Sequence, residues 1–164
     1  MSLSNRRAFL LGLAALPLAG CGYQPAHGTR GAASAALGNI RIQDPTDEAA
    51  FELVEQLERR LSGEGNPTHE LRYTISTNRR RLAVTEEEIT TGYNLNGRVD
   101  FQIVDLRDQS IATQGSVSNF STYSATANTV AARASERDAR RRLMVMLADD
   151  LTARLIATAG TWAT

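Results

Sequence analysis

Apolar residues in this chain change rhythm several times, and each change marks a new element. Between Ala8 and Leu16 they run almost unbroken, with Arg6 and Arg7 before them and Pro17 and small residues after. From Gly22 to Gly38 come small residues, glycines and Pro25 with no period, the mark of a flexible segment. Ile40 and Ile42 then flank Arg41, which predicts a brief strand over 39–43. Asp44-Pro45-Thr46-Asp47 supplies an acidic cap, a first-turn proline and early carboxylates, so a helix starts there. Its stripe of Ala50, Val54, Leu57 and Leu61, widened by Phe51 and Leu53, carries it to about Ser62. Gly63, Gly65 and Asn66-Pro67 end it.

The middle of the chain alternates. Leu71, Tyr73 and Ile75 oppose Arg72, Thr74 and Ser76, and an arginine-rich bend at Arg79-Arg80-Arg81 interrupts that strand. Tyr93, Leu95, Val99, Phe101 and Ile103 then share one side, and Asn94, Asn96, Arg98, Asp100 and Gln102 the other. A period of two predicts a sheet with one covered face and one wet face. Gly97, inside the apolar series, marks a bulge or a close backbone approach. After a turn at Asp105 to Ser110, Ile111 to Tyr123 returns as a strand with Thr113, Gly115 and Val117 in phase. The phase changes near Ser118 to Phe120, as a bulge would produce.

Asn128 or Thr129 caps a last helix running to about Ala157, with a stripe at Met144, Leu147, Ala148, Leu151 and Leu155. The expected fold class is α+β: two helices packed on a mostly antiparallel four-stranded sheet, in the order β-α-β-β-β-α. One domain is expected over 39–158, with 159–164 as a C-terminal tail.

The first segment belongs to none of this. A basic start, an apolar run and a small-residue end make a secretory signal peptide over 1–20. The run is shorter than the roughly 20 residues that a membrane crossing needs. It closes with Leu18-Ala19-Gly20-Cys21, the pattern of bacterial lipoprotein signals, which implies lipid attachment at Cys21 and cleavage before it. Residues 21–38 are then a lipid-anchored tether. Both the general secretory and the twin-arginine routes accept a start like Arg6-Arg7-Ala8-Phe9-Leu10.

Composition narrows the chemistry. Cleavage removes Arg6 and Arg7 from 18 basic residues and nothing from 18 acidic ones, so the mature balance is 16 against 18, a net −2. No global basic field argues for nucleic acid. All the basic residues are arginine, whose fork suits carboxylate and phosphate. Cys21 is the only cysteine, so no disulfide and no catalytic thiol is expected once it is acylated. His27 and His69 lack metal-ligand spacing, no phosphate loop or nucleophile elbow occurs, and Glu86-Glu87-Glu88 reads better as a solvated run than as a cation site. No cofactor and no catalytic site is expected.

Arg79, Arg80 and Arg81 are candidates for anion recognition, against the plainer reading of a solubilised turn. Arg140-Arg141-Arg142 points three ways on a helix and is weaker evidence. The hydroxyl-rich strand Ser116 to Ser124, with Asn119, Phe120 and Tyr123, is either an ordinary edge or a wet partner interface.

Taken together, the segments resemble the lipopolysaccharide-assembly lipoprotein family LptE in its alphaproteobacterial form. The matching pieces are Cys21-Gly22-Tyr23-Gln24-Pro25, Leu71 to Ser76, Tyr93-Asn94-Leu95, Gly115 to Ser124, and Glu136-Arg137-Asp138-Ala139 before the final helix. The resemblance implies a non-enzymatic outer-membrane lipoprotein, periplasm-facing, that plugs and helps assemble an LptD-type β-barrel and supports lipopolysaccharide transport to the outer leaflet. It also implies lipopolysaccharide contacts by basic residues, for which Arg72, Arg79, Arg80 and Arg81 are the matching candidates. Gly22 after the anchor fits outer-membrane sorting. Two rival readings are an auxiliary lipoprotein of another envelope lipid-transport system and a lipid-anchored envelope enzyme. The enzyme predicts a concave pocket of convergent polar groups and shifted titratable residues; the plug reading predicts none.

Overall fold

The computed structural model describes residues 37–61, 65–84, 90–124 and 129–162. The signal segment, Cys21, most of the tether, Glu86-Glu87-Glu88 and Asn128 lie outside them. Strand β1 (Ile40–Ile42) leads into helix α1 (Glu48–Leu61). Strands β2 (His69–Val84), β3 (Thr90–Asp105) and β4 (Ile111–Ser124) follow, and helix α2 (Thr129–Trp162) ends the domain. The element order is the expected one, and the sheet order is β1-β2-β3-β4. β2, β3 and β4 are antiparallel neighbours; β1 lies parallel to β2, a pairing that requires the α1 crossover.

Register decides which residues meet the helices. Leu71 opposes Ile103, Ile75 opposes Val99, and Val99 opposes Val117, so the odd-numbered side chains of the three long strands share one face. That face holds Leu71, Leu95, Val99, Phe101 and Ile103 in one core with Leu53, Leu57 and Leu61 of α1 and Leu143, Met144, Leu147, Leu151 and Leu155 of α2. The even-numbered side chains point away from the core, and no described element covers them.

Gly97 is the close approach, without a bulge: the pairs on both sides of it run in unbroken register. A Cβ there would stand 2.9 Å from both Leu143 Cδ2 and Leu147 Cδ1. The missing side chain lets α2 settle onto the middle of β3.

Several expectations need correction. The N-cap of α1 is Asp47, whose Oδ1 accepts the Ala50 amide at 2.8 Å, so Pro45 precedes the helix and does not sit in its first turn. Phe51 does not widen the buried stripe; it is 61% exposed. Arg79, Arg80 and Arg81 form no bend: they continue β2, opposite Leu95, Asn94 and Tyr93. No phase change occurs at Ser118 to Phe120, which oppose Arg98, Gly97 and Asn96 in order; the irregularity lies between Ile103 and Val104. Polar Asn119 imitated a phase change by standing on the covered face.

The C-terminal helix runs past its expected end near Ala157 to Trp162, because Ala159 and Trp162 prolong the apolar stripe and are buried. The Trp162 ring meets His69 edge-on, with centroids 5.6 Å apart. Leu37 is buried too, ahead of the expected domain start.

Two substitutions test this packing. Gly97→Val forces extra atoms between two leucines and is expected to cost about 1–3 kcal/mol. Leu147→Ala empties a fully buried site and should cost about 2–5 kcal/mol. Urea unfolding monitored by circular dichroism measures both, and Phe51→Ala should leave the midpoint nearly unchanged.

Candidate functional site: the open face of the sheet

The uncovered face is built from period-two alternation. Arg72, Gln102 and Gln114 form one cross-strand row, Thr74, Asp100 and Ser116 the next, then Ser76, Arg98 and Ser118, then Asn78, Asn96 and Phe120. The twisted sheet makes this surface concave. A groove of about 720 Å³ runs from Gln43 past Arg98 and Asp100 to Gln114 and Arg154. A second hollow of about 500 Å³, lined by Asn78, Asn96 and Phe120, adjoins it at Arg98. The expectation that no polar concavity would be found is therefore not met.

Fixed ion pairs set the electrostatics of the groove. Arg98 grips Asp100 with Nε 3.0 Å from both carboxylate oxygens and Nη2 2.7 Å from Oδ1. That fork holds the Asp100 carboxyl below its usual range. Glu70 accepts from Arg72 at 2.6 Å and from Arg41 at 2.7 Å, and these bonds lower it as well. Both carboxylates are locked in the charged state, the opposite of what a proton-transfer group at neutral pH needs. No three His, Cys, Asp or Glu side chains among the described residues are placed to hold a metal ion. No helix among them is long and apolar enough to cross a membrane.

The structure divides the arginine candidates. Arg72 and Arg80 stand on the open face, about 26 Å apart along β2, and Arg79 and Arg81 on the other. Arg72 is further tied to Gln109 Oε1 at 3.1 Å. The Arg79 guanidinium lies over the Tyr93 ring, 5.0 Å from its centroid, and 3.8 Å from Glu136 Oε2. Arg80 and Arg81 are exposed.

The predicted interface residues also separate. Asn119 turns inward and donates from Nδ2 to Asp150 Oδ2 at 2.9 Å, tying β4 to α2. Tyr123 is buried and stacks on Tyr93, centroids 5.3 Å apart. Phe120 alone faces outward, 57% exposed.

Sequence reasoning named the polar series Asn94 to Gln102 as a wet face without treating it as a site. It missed Arg154, which looks like any outward helix residue until the fold sets its Nε within 3.0 Å of where a Gly115 side chain would begin.

At one end of the sheet, Asp105 closes the β3–β4 turn. Its carboxylate takes a fork from Arg107, at 2.6 Å from Nη2, and the Arg107 amide at 2.8 Å. The Arg107 bonds, side chain first and then backbone, pull its pKa down to about 2.

The fold and its one-sided core define an α+β domain of a kind found in bacterial envelope lipoproteins. A candidate lipoprotein of Caulobacter crescentus CB15 superposes with a TM-score of 0.63 at 20% identity, over 77% of this chain and 95% of that one. Rare lipoprotein B of Shewanella oneidensis gives 0.56 at 16% identity, over 73% and 93%. A minor lipoprotein of Acinetobacter baumannii gives 0.55 at 20% identity, over 73% and 89%. At these identities the likeness concerns the fold. Among curated proteins there is no match. The family model for lipopolysaccharide assembly, LptE, matches residues 37–155, and the chain belongs to that family. Its role is that of a lipopolysaccharide-assembly lipoprotein, in a family that is not enzymatic.

Asp105 gives this section its prediction. A depressed folded-state pKa adds stability that is complete above the ordinary value of 3.8 and is lost as pH falls toward about 2. Asp105→Asn should therefore flatten the stability curve between pH 4 and pH 2 and lower stability at pH 7. Thermal unfolding across that range reads both effects.

Proposed function

We propose that the protein is anchored in the outer membrane by a lipid on Cys21 and seats its domain in the lumen of an LptD-type β-barrel. There it supports barrel assembly and the delivery of lipopolysaccharide to the outer leaflet. The family match across the described domain carries this reading. The geometry is compatible with it: an uncovered sheet face of guanidinium, amide and hydroxyl groups suits a wet lumen better than a dry interface. The segment before Leu37 supplies a tether, and tethering raises the local concentration of the domain at its barrel. Of the arginine candidates, Arg80 and Arg81 are the exposed cations left for lipid A phosphates, since Arg72 and Arg79 already have partners.

Affinity purification of the tagged full chain from detergent-solubilised outer membrane is expected to bring one large β-barrel with it, identified by mass spectrometry. A chain recovered alone would contradict the reading. Cys21→Ser should abolish radiolabelled palmitate incorporation. Replacing Arg79, Arg80 and Arg81 with alanine should weaken lipopolysaccharide binding with the fold intact; unchanged affinity would remove those residues from the role.

A further inference from the structure

Arg154 is the cation the fold leaves unanswered in the groove. It lies on the helix-facing side of Gly115 on the outermost strand, where a Cβ would crowd both Arg154 Nε at 3.0 Å and Phe101 Cζ at 3.1 Å, and it lines the groove at that strand's edge. Position 115 thus leaves room for Arg154 to line the groove with Arg98, Asp100, Gln102 and Gln114. No acidic partner for Arg154 is present among the described residues, whereas Arg98 is neutralised by Asp100.

The groups around it are of one chemical kind. Gln102 Nε2 lies 3.4 Å from Gln114 Oε1, leaving each amide with donors and acceptors to spare. The Arg98–Asp100 fork offers paired donors and acceptors in a plane. Planar pairs of this type match vicinal hydroxyl groups. In the adjoining hollow the exposed Phe120 ring offers an apolar face on which a sugar ring can lie.

We infer that the open face of the sheet binds an anionic saccharide, with Arg154 taking its phosphate or carboxylate and the Gln102–Gln114 and Arg98–Asp100 pairs its hydroxyls. The inference rests on the lipopolysaccharide role proposed above and assigns this face to the sugar portion of that molecule. It is a different surface from the distal arginines Arg79 and Arg81, which stand on the other face.

The full chain in detergent is titrated calorimetrically with deacylated lipopolysaccharide saccharide, with a neutral oligosaccharide of similar length, and with inorganic phosphate. Binding of the deacylated saccharide is expected, with the neutral sugar and phosphate each about tenfold weaker or more. Arg154→Ala should weaken saccharide binding by a similar factor without moving the unfolding midpoint, because that side chain has no partner to lose. Gly115→Val, which displaces Arg154, should reproduce the loss. Absence of saccharide binding, equal binding of phosphate alone, or unchanged affinity in Arg154→Ala would each overturn the inference.

Barrel recovery with the same variants separates the two readings. A barrel that co-purifies with a wild-type chain showing no saccharide binding removes this inference and leaves the proposed function standing. If Arg154→Ala releases the barrel while saccharide affinity is unchanged, the face docks protein and the inference falls.

Discussion

Everything in this domain depends on how closely α2 can approach β3. The helix is 34 residues long, and its mid-section rests Leu143 and Leu147 where a side chain at position 97 would be. A domain of this size has one core, so the surface apolar enough to be buried must be gathered on one side of the sheet. Gly97 allows that gathering. Once both helices lie on the odd-numbered face, the other face has nothing apolar left to cover it with, and becomes a surface of arginine, amide and hydroxyl groups. Core and open face are two results of one contact.

Much of this was legible from alternation. The opposed series Tyr93 to Ile103 and Asn94 to Gln102 stated which side would be dry, because a strand buried on one face has little freedom of register. Gly97 stands out in the sequence as the one break in that apolar series. The errors have physical causes. Arg79-Arg80-Arg81 resembled a loop because three cations rarely sit in a strand, yet β3 continues opposite them and supplies Tyr93 as a partner for Arg79. Asn119 resembled a slip in phase because its partner Asp150 lies 31 residues away on another element. Trp162 looked like part of a tail because its neighbour His69 is far off in sequence.

The open face shows the same limit from the other direction. Its polar strand residues could be read off the chain, but its concavity and its unpaired charge could not. Arg154 becomes part of the surface only through a helix packing against a glycine on the outermost strand. Sites assembled from residues of separate elements leave no local spacing to find. Two ion pairs are specific forks, Arg98 on Asp100 and Arg107 on Asp105, each between residues two apart.

β1 is three residues long and pairs only with His69 to Leu71 of a sixteen-residue strand. Past the reach of Gln43, no described strand pairs with the outer margin of β2. An unguarded margin of that length invites copies of a protein to zip together. The arginine triplet sits on it. An antiparallel pairing of two copies centred on Arg80 would press both triplets against each other, and like charges in apposition across strands are destabilising. Whatever ligand those arginines meet, their like charges oppose that self-pairing.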